Sequence, residues 1–119
     1  MTHRDLEVYK LSMMLVKDIY CITSTFPKSE LFGLISQMQR AAVSIPSNIA
    51  EGASRNSIKE YIHFLSISIG SASELETQLG IAEMLGYFTN KEQSEELRKQ
   101  VDRIRYMLIK LMRNLQSKL

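Results

Sequence analysis

The chain carries few residues that do chemistry by themselves. Its two histidines, His3 and His63, and its one cysteine, Cys21, are scattered. Neither histidine has a second His or a Cys three or four residues away, so no helix face offers the paired ligands a metal needs. Glu74 and Gln78 lie one turn apart, but a di-iron bundle takes Glu-x-x-His motifs on paired helices, and none is present. Cys21 has no nearby His and sits in an apolar helical run, which reads as packing rather than as a nucleophile. No phosphate-loop glycine pattern occurs. The expectation is a protein that is not an enzyme, with no catalytic residue, no metal and no cofactor.

Charge is the stronger signal. The net charge is only +2, but residues 29–88 hold three basic and six acidic residues, while residues 89–119 hold eight basic and four acidic. Within that last segment Lys99, Arg103, Tyr106, Lys110 and Arg113 follow one another at steps of four, three, four and three. That spacing puts four cations and an aromatic ring on one helical stripe about three turns long, with Arg98 and Arg105 beside it. Cations at this spacing track phosphates, and an exposed tyrosine stacks on an unpaired base. A basic C-terminal helix face can equally be plain solvated surface.

A second polar group lies earlier. Gln37, Arg40, Ser44, Asn48 and Glu51 share one side of a helical segment, and Glu74 and Gln78 further on are placed to meet them. The bland reading is a hydrogen-bonded network that fixes helix register. The functional readings are a subunit interface or a ligand pocket.

The elements that must position these groups are four helices separated by three short breaks, near residues 26–29, 53–56 and 86–90. The first spans about Asp5 to Thr25, with Thr2 or Asp5 as cap. It carries two apolar stripes, Leu6, Tyr9, Met13, Val16 and Tyr20, and Leu11, Leu15, Ile19, Ile22 and Phe26. One apolar face is enough for a surface helix, so the surplus calls for burial in the bundle centre or against another subunit. The second begins at Ser29 as N-cap and buries Leu31, Leu34, Ile35, Met38, Ala42, Ile45 and Ile49. Pro46 lies in its middle, where it kinks a helix that the periodicity continues on both sides. The third runs from about Ser57 to Leu85, opened by the capping pair Ser57 and Glu60. Gly70 inside it costs roughly 1 kcal/mol against alanine, which close approach of another helix would explain. The fourth follows Thr89 or Asn90 and runs to about Ser117, with Leu97, Val101, Ile104, Leu108, Leu111 and Leu115 as its apolar seam. Four helices with short links predict an all-α, antiparallel up-down-up-down four-helix bundle over residues 1–119, one domain.

Composition agrees. In 119 residues, 45% are hydrophobic and 24% charged, with 5 Gly, 2 Pro and no Trp. These values fit a globular helical domain and exclude a disordered chain or a disulfide scaffold. The most apolar stretch, Leu11 to Ile22, carries Lys17 and Asp18 and is too short to span a bilayer. The expectation is a cytoplasmic protein with no membrane role.

Gln37-Met38-Gln39-Arg40-Ala41-Ala42-Val43-Ser44-Ile45-Pro46-Ser47-Asn48-Ile49-Ala50-Glu51-Gly52 resembles the signature of the four-helix-bundle proteins called 23S rRNA-intervening sequence proteins. The accessory variability determinant of diversity-generating retroelements is a relative of that family. Asp5-Leu6, Phe26-Pro27, Arg55, Gly70-Ser71 and Glu74-Leu75-Glu76-Thr77-Gln78-Leu79 extend the resemblance from about Asp5 to Leu115. It implies a bacterial protein that assembles into a homopentamer. The retroelement relatives bind nucleic acid and a reverse transcriptase through a positively charged pentamer. The resemblance also implies that the molecular activity of most members is unassigned. Five copies would turn +2 into roughly +10, making a weak basic face multivalent. The expected function is a non-enzymatic, oligomeric accessory protein that binds RNA or DNA through the basic stripe. The alternative is an oligomeric scaffold that docks a protein, a reverse transcriptase or another, with no nucleic-acid role.

Overall fold

The structure, a computed structural model, describes residues 2–119, the side chain of Asp5 excepted. Four helices carry the chain: α1 Glu7–Thr23, α2 Leu34–Ala53, α3 Ile58–Met84 and α4 Lys91–Gln116. Short 3-10 turns at His3–Asp5 and Lys28–Glu30 precede α1 and α2. Each helix packs on its neighbours in the chain, and α1 closes on α4. Cross-helix pairs show the directions. Ser44 meets Ser71 and Ile45 meets Ser68; Arg105 meets Glu76 and Arg98 meets Glu83. In each set one number rises as the other falls, so α2 and α3, and α3 and α4, run antiparallel. The bundle measures 46 × 24 × 21 Å, long enough for the 27 residues of α3 at 1.5 Å per residue.

The core is aliphatic. Leu15, Ile19, Met38, Ala42, Ile45, Ile49, Leu65, Leu75, Leu79, Val101, Ile104 and Leu108 are buried among one another. Leu111, next to last in the α4 seam, stays partly exposed. Phe26, Tyr87 and Phe88 close one end, with ring centroids 5.4 and 5.7 Å apart.

Local chemistry sets the helix ends. Ser57 accepts from the Glu60 N–H at 3.3 Å, and Asn90 accepts from the Gln93 N–H at 3.0 Å, each satisfying a donor the helix itself leaves open. Gly86, at φ 75°, ends α3. The Tyr87 N–H bonds to the Ala82 carbonyl and the Gly86 N–H to that of Glu83, both at 3.0 Å, the paired bonds of a Schellman stop. Pro46 lies inside a continuous α2. Carbonyls beside it receive side-chain donors: Asn48 Nδ2 donates to the Ser44 carbonyl at 2.8 Å, and Ser68 Oγ to the Ile45 carbonyl at 2.9 Å.

Three sequence expectations need correction. Helix α1 is shorter than Asp5 to Thr25. Thr2 Oγ1 accepts from the Arg4 N–H at 3.2 Å and so serves the 3-10 turn, while Leu6 occupies the α1 cap position without a side-chain bond. The candidate cap Asp5 has its side chain outside the described residues. Helix α2 starts at Leu34, not behind Ser29. Its first free N–H goes to Glu30 Oε1 at 3.2 Å, and Leu31 is exposed rather than in the core. Close approach of a helix falls at Gly52 and not at Gly70. A Cβ on Gly52 would lie 2.9 Å from Phe64 Cβ and 2.9 Å from the Tyr61 ring, whereas one on Gly70 would meet nothing within 4 Å.

Glu30 joins two parts of the closed end. Its Oε2 accepts from the Tyr87 hydroxyl at 2.7 Å. That bond, helped by the Leu34 N–H, holds its carboxyl below its ordinary 4.5 against a smaller opposing effect of burial. The unfolded chain therefore binds the proton first, and the stabilisation is present at neutral pH and lost as pH falls through the lowered value. Glu30→Gln is expected to lower the melting temperature at pH 7, and the gap from the parent should close in acid. Melting curves across that range check both limbs.

Candidate nucleic-acid interface

Helix α4 turns its aliphatic seam inward and its polar residues out because apolar positions recur every three or four residues. Lys99, Arg103, Tyr106, Lys110 and Arg113 are all exposed on the outer face. Among the described residues none of the four cations has an ion pair. The flanking arginines differ. Arg105 Nη2 lies 3.0 Å from Glu76 Oε2 and 3.1 Å from Asp102 Oδ1, and its Nη1 donates to Ser73 Oγ at 3.3 Å. Arg98 Nη2 stands 3.8 Å from Glu83 Oε2. Of six arginines and lysines counted along this stretch of sequence, two are thus answered by carboxylates and four face solvent. Residues before Lys99 shorten the stripe: Glu92, Glu95 and Glu96 lie in the first turns of α4 and are acidic.

Two carboxylates flank Arg105. Contact with Asp102 holds the Glu76 carboxyl above its ordinary 4.5, burial adds to the rise, and Arg105 opposes it. Tyr106 is 61% exposed. A depression beside it is lined by Asp102, Arg105, Ile109, Lys110, Arg113 and Asn114. Asp102, Ile109 and Asn114 were not singled out in the sequence. The available signal was their spacing of four, three and eight residues from Tyr106, which places them along its helix face.

The second polar group divides. Ser44 Oγ bonds to Ser71 Oγ at 2.7 Å, and Asn48 Nδ2 donates to Ser44 Oγ at 3.0 Å, a small network between α2 and α3. Gln37, Arg40 and Glu74 do not join it; with Gln78 they line a shallow depression. Gln78 is buried, and its Oε1 has no hydrogen-bond partner among the described residues. Glu51 is elsewhere again. It pairs with Arg55 at 2.5 Å, and the Arg55 guanidinium lies 5.0 Å over the Phe64 ring. Cys21 is exposed, so packing inside the subunit does not account for it. His3 meets the Tyr9 ring edge-on at 4.9 Å, and His63 meets Phe64 at 5.3 Å. Among the described residues no three His, Cys, Asp or Glu side chains are grouped to hold a metal. No helix among the described residues is long and apolar enough to cross a membrane.

Residues 4–110 match the family model of the 23S rRNA-intervening sequence protein. The fold is similar to that in the crystal structure of a protein of unknown function from the S23 ribosomal protein family of Bacteroides thetaiotaomicron. The TM-score is 0.79 at 25% sequence identity, covering 88% of this chain and 97% of that one. No curated relative matches the chain.

Proposed function

From a chain that belongs to the 23S rRNA-intervening sequence protein family, we infer a non-enzymatic, oligomeric accessory protein that binds RNA, or DNA, through the outer face of α4. Lys99, Arg103, Lys110 and Arg113 contact phosphates, and Tyr106 contacts a base or sugar. The observation that carries the reading is that these four cations are exposed and unpaired on one face while the arginines beside them are neutralised. Lys99 to Arg113 spans fourteen residues, about 21 Å of helix, enough for several consecutive phosphates of one strand. Four contacts imply a slope near −3 in log K against log salt for each engaged subunit, or about a hundredfold loss from 50 to 200 mM salt. Assembly multiplies the face. The resemblance implies a homopentamer, and Met13, Met14 and Tyr20, all exposed on α1, supply apolar surface for contact between copies.

The deciding experiment is binding of the purified protein, its oligomeric mass measured alongside, to a structured RNA and a duplex DNA at low and moderate salt. Micromolar or tighter binding that weakens steeply with salt is expected. Indifference to both nucleic acids at low salt would overturn it. A second reading, a scaffold for a reverse transcriptase or another protein, rests on large exposed apolar side chains that are not part of α4, Phe32 at 93% and Met84 at 76% exposure. A pull-down that survives nuclease treatment would favour it.

A further inference from the structure

Tyr106 stands in the middle of the basic face, with Arg103 and Lys110 about one turn to either side. Its ring takes part in no hydrogen bond or ring contact among the described residues, and the depression beside it has a carboxylate, Asp102, as part of its wall. A surface meant only for phosphates gains nothing from a carboxylate there, since like charge repels it. Asp102 is also held in place. Its Oδ1 accepts from Arg105 Nη2 at 3.1 Å, and the same nitrogen donates to Glu76 Oε2 at 3.0 Å. An aromatic face, a fixed acceptor and two cations further along one helix face match what a single nucleotide offers: a ring to stack, donors on the base edge and a phosphate.

We propose that the depression beside Tyr106 seats one unpaired base, with guanine preferred. The proposal rests on the nucleic-acid reading of α4 and deepens it. A paired base is stacked within its duplex and its Watson–Crick edge is occupied, so only a loop, bulge or single strand presents it to a tyrosine ring. Guanine offers two adjacent donors, N1–H and the N2 amino group, which a carboxylate accepts together. Adenine and cytosine offer one amino group next to an acceptor. Uracil offers N3–H between two carbonyl oxygens, which the carboxylate repels. Lys110 and Arg113 then hold phosphates of the same strand.

The test uses the full chain and two short single-stranded RNAs of equal length and charge, an oligouridine and the same strand with a central guanine, with the guanine-bearing strand annealed to its complement as a duplex control of doubled charge. The guanine-bearing single strand is expected to bind roughly tenfold more tightly than oligouridine, the scale of one stacked, hydrogen-bonded base. Tyr106→Ala should lose about that factor on the single strand and nothing on the duplex. Asp102→Asn should flatten the guanine-to-uracil ratio whatever it does to overall affinity, because removing a negative charge acts on every strand alike. Equal, salt-sensitive binding of the two single strands, untouched by Tyr106→Ala, would overturn the base site while leaving phosphate binding in place. No binding of any RNA at low salt would overturn both.

Discussion

Lys110→Glu with Arg113→Glu is expected to weaken RNA binding at least about a hundredfold at low salt and to reduce the salt slope by about 2. Two phosphate contacts disappear, and two repulsions of roughly 1 kcal/mol each in water replace them. Both side chains are exposed and have no ion pair among the described residues, so no buried partner is orphaned. Arg113 does lie in the last turn of α4, where a cation suits the helix dipole. The reversal there should take about 0.3–1 kcal/mol from stability, far short of unfolding the bundle. Lys110→Gln with Arg113→Gln separates the effects: it removes contacts without adding repulsion, and its loss should be smaller with the same change in slope. Filter binding or fluorescence anisotropy across a salt series, beside melting curves, reads all of this. Unchanged affinity in the double reversal would move the interface off the end of α4.

Gly52→Val should be the most damaging single change at the junction of α2 and α3. Glycine inside a helix normally invites replacement, since alanine gains roughly 1 kcal/mol of propensity. At Gly52 a Cβ meets Phe64 Cβ and the Tyr61 ring at 2.9 Å and the Tyr61 carbonyl oxygen at 3.2 Å. Two of those three atoms are fixed to the backbone and cannot turn aside, so the helices must part. The expected loss for valine is about 3 kcal/mol, or roughly 10 °C in melting temperature. Gly70→Ala should act in the opposite sense, gaining up to about 1 kcal/mol in the isolated subunit, because Gly70 is exposed with nothing within 4 Å. Equal responses at the two glycines would contradict the packing described for α2 and α3.

Those two glycines show where the sequence stops being legible. Both interrupt helical patterns, and nothing local distinguishes the one pressed against a neighbour from the one open to solvent. The α3 cap was legible because Ser57 and its partner Glu60 lie three residues apart, whereas spacing left Thr89 and Asn90 both open at α4, where Asn90 is the cap. The start of α2 was not, because Glu30 is fixed by Tyr87, 57 residues distant. The aliphatic seam of α4 and the continuity of α2 through Pro46 follow from spacing alone. The surplus apolar residues of α1 were also visible. Leu15, Ile19 and Ile22 go to the core, and Met13 and Tyr20 remain on the surface, a division no single-helix pattern specifies.

The candidate interface divides in the same way. The stripe from Lys99 to Arg113 could be read from steps of three and four. Which cations stay free could not, because Glu76 and Glu83 reach Arg105 and Arg98 from another helix. For the polar group of α2, a shared helix face suggested one site. Side-chain length decides otherwise: short Ser44 and Asn48 turn to Ser71 and the backbone, while Glu51 reaches forward one turn to Arg55.

The most direct test of the central claim is to cross-link the full-length protein to a structured RNA with ultraviolet light and locate the modified residues by mass spectrometry. Cross-links concentrated between Lys99 and Arg113, with Tyr106 foremost, are the predicted result. Cross-links confined to the α2–α3 face around Arg40 and Glu74, or none at a salt concentration where the RNA is bound, would contradict it.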